Sequence, residues 1–242
     1  EEIFPSAELR DFIQRAVGYS ALGVTKEQVF FVCYGTGANG KSVFLNTIMR
    51  VLGPDYATQS DPASFMVRTG DRIRADIARL RGVRFVSAIE TGDGKRLDEA
   101  MVKAATGGDP LVGEFKYQNQ FVFTPQFHLW LATNHKPRID GTDWGIWRRV
   151  LLIPFDVTIA EDLRDKDLDS KLASECEGIL DWIVTGACLY LRDRLNPPDE
   201  VRAATTQYRQ SEDVIGRFLA ENTVRGNSMQ VSKAGLYKVF EE

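Results

Sequence analysis

The sequence predicts an α/β fold, a parallel sheet flanked by helices, on three observations. A continuous β-branched and aromatic run, Val29 to Gly35 ("VFFVCYG"), leads straight into a glycine loop and then an amphipathic stretch, Lys41 to Gly53 ("KSVFLNTIMRVLG"). Further apolar runs have buried-strand length, and two of them end in a polar residue, Glu90 and Asn134. Parallel sheets are covered on both faces and hold their ligands at the carboxyl ends of their strands. The loop itself, Gly35 to Ser42, reads Gly-x-x-x-x-Gly-Lys-Ser. In that spacing backbone N–H groups wrap a phosphate chain, a lysine reaches the β/γ oxygens and a hydroxyl meets Mg²⁺. Strand, loop and helix in this order give the P-loop NTPase pattern, because the helix N-terminus adds its partial positive charge to the donors of the loop.

Taken in order, Ser6 to Tyr19 places Leu9, Phe12, Ile13, Ala16 and Val17 at helical spacing behind a Ser6 cap, with Gly18 near the end. The first strand, loop and helix follow. Val83 to Glu90 ("VRFVSAIE") is a second buried strand. "DEAMVKAATGG" reads as a helix ending at Gly107, and "PLVGEFKYQNQFVF" alternates around a polar centre like a hairpin. Phe127 to Asn134 is a third strand and Arg149 to Phe155 a fourth. Leu168 to Leu195 carries one long helical pattern, stopped by "NPP", and Asp199 to Asn222 carries another, together a helical lid or bundle. "VSKAGLYKVFEE" opens a further small helical module. The chain thus divides into an N-terminal helical segment (1–27), an ATPase core (28–160), a C-terminal helical segment (161–225) and the start of a small module (226–242).

With 242 residues, 43% of them hydrophobic, the chain has room for one large α/β domain with small helical additions. No apolar run approaches the roughly 18 residues needed to span a bilayer. The opening "EEIFPSAELR" has neither the basic nor the apolar region of a signal peptide, so a soluble cytoplasmic protein without membrane contact is expected. Cys33, Cys176 and Cys188 lie far apart inside apolar runs and suggest neither a disulfide framework nor a zinc site. His128 and His135 are too few for a histidine metal centre. With 30 basic against 34 acidic residues, a surface coated for nucleic acid is excluded, whereas a local basic site is not. The start without Met and the finish in mid-helix are read as marking an excerpt of a longer protein.

Hydrolysis at a P-loop requires an acid near Mg²⁺ and the attacking water, a polar group at the γ-phosphate, and positive charge for the transition state. Gly35, Thr36, Gly37, Ala38, Asn39, Gly40, Lys41, Ser42 and Val43 are the candidates for binding ATP, with Lys41 on the phosphates and Ser42 on Mg²⁺. Glu90, at a strand end, is a Mg²⁺ partner or a water-polarising base; otherwise it is an ordinary surface acid. Asn134 can bond both a water and a phosphate oxygen, or is a plain turn residue before "HKP". Arg148 and Arg149 form a salt bridge, or offer an arginine finger to a neighbouring subunit's nucleotide, with Arg149 as the residue expected to act across the boundary. Many such ATPases carry two adjacent acids at the second strand, whereas Ile89 and Thr91 flank Glu90 here. The split between metal holding and water activation stays open, with Asp93 in reserve.

"GTGANGKS", the strand ending in Glu90, "KAATGGDPLVGEFKYQNQFVFTP", "LATNHKP" and "GIWRRVLLIPF", in this order and spacing, resemble the superfamily-three helicases of the phage and plasmid primase-helicase type. "PDEVRAATTQYRQSEDVIGRFL" is similar to the C-terminal segment of the same family, so the resemblance spans about Leu9 to Phe240. It implies an AAA+-like fold, assembly into a ring, usually hexameric, and ATP-driven movement along single-stranded DNA during replication of a phage or other mobile element in a bacterial host. A primase domain is expected upstream. In such relatives the hairpin lines the central channel and a basic residue near its tip grips the DNA backbone; here that is Lys116, with Tyr117 or Phe115 beside it. The competing reading is an exposed lysine flanked by hairpin aromatics packed on the sheet. A threading ring needs positive charge only along its channel, which accommodates the net charge of −4. An AAA+ ATPase that remodels or loads proteins would share the nucleotide residues and differ at the hairpin. A P-loop phosphotransferase would need an arginine-rich lid, which the sequence lacks.

Overall fold

The computed structural model describes residues 2–68, 75–90, 92, 94–141, 143–224, 226 and 230–241. In chain order the elements are α1 (Ala7–Leu22), β1 (Phe30–Tyr34), α2 (Lys41–Leu52), β2 (Ala57–Ser60), α3 (Ala75–Ala78), β3 (Phe85–Glu90), α4 (Glu99–Gly107), β4 (Leu111–Gly113) and β5 (Phe121–Phe123). They continue with β6 (His128–Thr133), α5 (Trp144–Trp147), β7 (Val150–Pro154), α6 (Leu168–Ser174), α7 (Cys176–Asp193), α8 (Asp199–Glu212), α9 (Val214–Asn222) and α10 (Lys233–Glu241). Five strands form one parallel sheet in the order β2-β3-β6-β1-β7, and β4 and β5 pair as an antiparallel hairpin. This is the expected P-loop NTPase-like α/β sheet, flanked by helices.

Alternation along the strands fills two cores. On one face Phe30, Val32, Val86, Leu129, Leu131 and Leu152 pack under α4, α5 and α8. On the other, Phe31, Cys33, Phe85, Trp130, Ala132 and Ile153 pack under α1, α2 and α7. β6 is buried from end to end because both its faces are covered. Trp130, at its middle, is sandwiched between Phe31 and Phe85 with ring centroids at 4.2 and 5.4 Å, and its indole N–H donates to Ser20 Oγ of α1 at 3.0 Å. That bond gives the sandwiched indole its one polar partner and ties α1 to the sheet.

Ser6 caps α1 as expected, its Oγ accepting from Leu9 N, but Gly18 does not mark the helix end. The helix runs on to Leu22 and closes at Gly23. Gly18 is there for a non-local reason: a Cβ on it would lie 2.1 Å from Ala187 N, and one on Gly186 would lie 2.1 Å from Gln14 O. α1 and α7 cross with backbone against backbone. The two long C-terminal patterns are each broken once, at Glu175 and at Asp213. Asp213 leaves the helical region (φ −82, ψ 71) and its side chain accepts from Gly216 N, capping α9. These helices are not a free-standing lid, since α7 lies on α1 and α8 on β7. Thr205 Oγ1 accepts from Leu152 N at 3.0 Å, and Glu212 accepts from Ile139 N at 3.0 Å. β2 escaped the sequence reading because its residues, Ala-Thr-Gln-Ser, carry no apolar run; as an edge strand it is held by its ladder to β3.

Replacing Gly186 by Ala should destabilise the fold by about 3 kcal/mol, as overpacking at a rigid backbone contact requires, with Gly18→Ala acting alike. Urea unfolding checks this. His128, buried beside Tyr19 with ring centroids 4.2 Å apart, has its pKa drawn down from 6.5 to about 4 by desolvation. It is neutral in the folded state, so its contribution is fully present above about pH 6.5 and is lost as pH falls toward 4, where the unfolded chain binds the extra proton. Stability should drop by up to roughly 3 kcal/mol over that window. His128→Leu should flatten this part of the stability–pH curve.

Candidate active site

The loop leaves β1 at Tyr34 and enters α2 at Lys41. Gly35 is required by close approach: a Cβ there would sit 2.3 Å from Asn39 Nδ2 and 2.4 Å from Phe155 O. Gly37, Ala38 and Gly40 have φ of 116°, 50° and 77°, a curl of the kind whose N–H groups converge on an anion. α1 and α4 have side-chain caps and an acid in the first turn; α2 has neither. Its unpaired N–H groups and positive dipole end are therefore left for an external anion. Lys41 is 6% exposed, and burial draws its pKa below the usual lysine value. Its Nζ donates to Gly35 O at 2.7 Å and to Asn39 Oδ1 at 2.9 Å.

Parallel register brings the other groups level with the loop. Thr133 pairs with Tyr34 on one side and Glu90 on the other, so Glu90 and the next residue of β6, Asn134, arrive together at the carboxyl edge. Lys41, Ser42, Glu90 and Asn134, with the loop from Gly37 to Val43, line one cleft of about 310 Å³. Glu90 is 8% exposed and one carboxylate oxygen accepts from Gly92 N at 2.7 Å, which fixes the side chain. Thr91 and Asp93 lie outside the described residues. A second, more apolar cleft of about 770 Å³ shares Val43 with the first and runs between α2 and the α6–α7 segment, past Ile3, Phe44, Leu172, Ile179 and Trp182.

Mg²⁺ fits this donor set only as a nucleotide-bound ion. Among the described residues no group of three or more His, Cys, Asp or Glu is placed to hold a metal by itself. A hydroxyl from Ser42 and one carboxylate from Glu90 match an ion that takes its remaining ligands from phosphates and water.

Arg148 and Arg149 stand apart from this cleft. They precede Val150, which pairs with Phe30, whereas the loop follows Tyr34, which pairs with Pro154. The arginines are thus at the opposite end of β7, about 16 Å of strand from the glycine loop. Their side chains differ. Arg149 is 9% exposed and turned inward, donating to Thr106 Oγ1 at 3.1 Å and Gly145 O at 2.5 Å. Arg148 is exposed and donates to Gln28 Oε1 at 2.6 Å.

At the hairpin, Lys116 and Tyr117 form the tip. Tyr117 is 90% exposed with φ +66°, and Lys116 Nζ sits 4.9 Å from its ring centre. Phe115 does not join them; it turns inward and stacks on Phe121 at 5.7 Å. Two placements went unread in the sequence. The segment before α1 folds over the loop, with Phe4 against Phe155 at 4.7 Å and Ile3 beside Gly40. Lys136 lies between the rings of Tyr34 and Tyr208 at 4.6 and 5.5 Å. The apolar pair Ile3-Phe4 ahead of a helix cap was the available signal for the first; nothing local signals the second.

Residues 33–149 match the family described as "Family of unknown function (DUF5906)". The chain is 26% identical over 269 residues to a protein of Acanthamoeba polyphaga mimivirus named "Putative helicase", covering 100% of this chain and 27% of that protein. It is 25% identical over 260 residues to a Frog virus 3 protein whose name also begins "Putative helicase", covering 99% and 27%. With a protein of African swine fever virus named "Putative primase" the identity is 22% over 250 residues, covering 95% and 26%. The chain therefore spans about a quarter of the length of these relatives. Among solved structures, the C-terminal region of NrS-1 superposes with a TM-score of 0.56 at 12% identity, over 98% of this chain and 62% of that one, a likeness of fold. No described helix is long and apolar enough to cross a membrane.

The contrast within the arginine pair is testable by stability alone. Arg149→Ala should lower it by ~2 kcal/mol, since Thr106 and Gly145 lose a charged donor at a buried position. Arg148→Ala should leave the urea midpoint nearly unchanged.

Proposed function

We propose that this chain is an ATP-hydrolysing motor domain of helicase type, moving along single-stranded DNA as part of a larger viral or mobile-element replication protein. The observation that carries the reading is the convergence of Lys41, Ser42, Glu90 and Asn134 on one cleft at the carboxyl edge of a parallel sheet, beside an uncapped helix N-terminus. The viral relatives named for helicase and primase support the choice of DNA over other work for such a site.

In this reading the loop from Gly35 to Ser42 holds the triphosphate, and the adjoining apolar cleft past Val43 has room for the base. Lys41 holds the β/γ oxygens against charge that builds as the terminal bond breaks. Ser42 and Glu90 would hold Mg²⁺, which when bound neutralises phosphate charge. Glu90 accepts the proton of the attacking water, and Asn134 orients that water against the γ-phosphate. Each subunit has its cations for the transition state at the wrong end of β7 to serve its own nucleotide. A neighbour in a ring, hexameric by the resemblance, supplies them. Arg148, exposed and exchanging its bond to Gln28, reaches across in place of the expected Arg149, which is the buried anchor of the strand end. Lys116 and Tyr117 at the hairpin tip meet the DNA, the lysine on phosphate and the ring on a base.

Two measurements test the reading. Lys41→Ala and Arg148→Ala should each lose at least roughly 10³-fold in ATP turnover, and mixing the two should restore part of it, because some interfaces then pair an intact loop with an intact arginine. Single-stranded DNA should stimulate the wild-type ATPase, whereas Lys116→Ala should keep basal turnover and lose the stimulation and unwinding. An ATPase indifferent to DNA in the wild type would instead fit a protein remodeller.

A further inference from the structure

The buried amide beside Lys41 makes two directed hydrogen bonds. Asn39 is 2% exposed; its Nδ2 donates to Phe155 O at 3.0 Å and its Oδ1 accepts from Lys41 Nζ at 2.9 Å. With Gly35 O at 2.7 Å, the ammonium has two neutral acceptors. An ammonium has three N–H donors, so one remains for an incoming ligand. Neutral acceptors also leave its full positive charge to attract that ligand, where a carboxylate would cancel it. The bond to Phe155 O fixes which end of the amide faces Lys41, because a flipped amide would set a nitrogen against the ammonium and an oxygen against a carbonyl. Gly35 contributes by having no Cβ in the space the amide fills.

We propose that Asn39 is a positioning residue: anchored on the carboxyl end of β7, it pins the Lys41 ammonium with one N–H aimed at the terminal phosphates of a bound nucleotide. This rests on the nucleotide reading of the cleft, but its geometric half is testable without nucleotide. In ligand-free protein the twice-bonded ammonium should give a slowly exchanging ¹H–¹⁵N signal, assigned by its loss in Lys41→Ala. Asn39→Ala should lose that signal and Asn39→Asp should keep it. Persistence in Asn39→Ala, or absence from the wild type, overturns the pinning whatever the ligand. Binding of a fluorescent ATP analogue then tests the consequence. Asn39→Ala should weaken it roughly tenfold at a temperature where variant and wild type are both folded, and Asn39→Asp should weaken it further. If folded Asn39→Ala binds as tightly as the wild type, Asn39 does not serve Lys41. A wild-type protein with the pinned signal that binds no nucleotide would refute the nucleotide reading and leave the pinning intact.

Discussion

The site depends on the parallel hydrogen-bond ladder that joins β3, β6 and β1. In a parallel sheet every strand delivers its last residue to the same edge, and here the ladder sets Glu90, Thr133 and Tyr34 level. A shift of one residue in β6 would send Trp130 and Ala132 to the opposite face and withdraw Asn134 from the cleft. The aromatic sandwich of Phe31, Trp130 and Phe85 holds that register, since three large rings interleave in only one alignment. Core packing and functional geometry are thus a single constraint.

Two kinds of cation handling coexist in the chain. Lys41 is buried against neutral oxygens with no carboxylate bonded to it, whereas the surface pairs, such as Arg50 with Asp169 at 2.7 Å, are exposed and contribute little. The arginines at the amino end of β7 split the same way, Arg149 satisfied internally and Arg148 outward. The cleft lined by Lys41 and Glu90 thus lies at one edge of the sheet and these arginines at the other. The proposed sharing of the site between subunits draws on that separation.

The glycine loop, four of the five sheet strands and the hairpin were legible in the sequence, because each is encoded by local pattern: buried strands as apolar runs, the loop as fixed spacing, the hairpin as alternation around a polar centre. What was not legible is non-local. Gly18 looked like a helix end because a glycine in a helix usually signals one, and only the approach of α7 explains it. Asp213 sat inside a good helical period, yet its carboxylate bonds to Gly216 N and starts a new helix. Phe115 and Lys116 are adjacent in a polar loop; the ring is taken inward by Phe121, four residues past the turn, and the lysine is left outside. Arg148 and Arg149 are the same residue type in one dipeptide, and only the position of Thr106 on α4 decides which of them is buried.

The crossing of α1 and α7 at Gly18 and Gly186 also acts as a gauge. Because no side chain intervenes, the spacing of α7 from α1 is set by backbone dimensions, which do not adapt as side chains do. α1 is fastened to the sheet through Ser20 and Trp130, and α2 rises from the same sheet, so the distance from α2 to α7 is inherited from that contact. The apolar cleft between them, bounded by Phe44 on one side and Ile179 and Trp182 on the other, therefore has its width fixed by two glycines that do not line it. Substitutions in the cleft wall can change its chemistry while its calibre is held elsewhere.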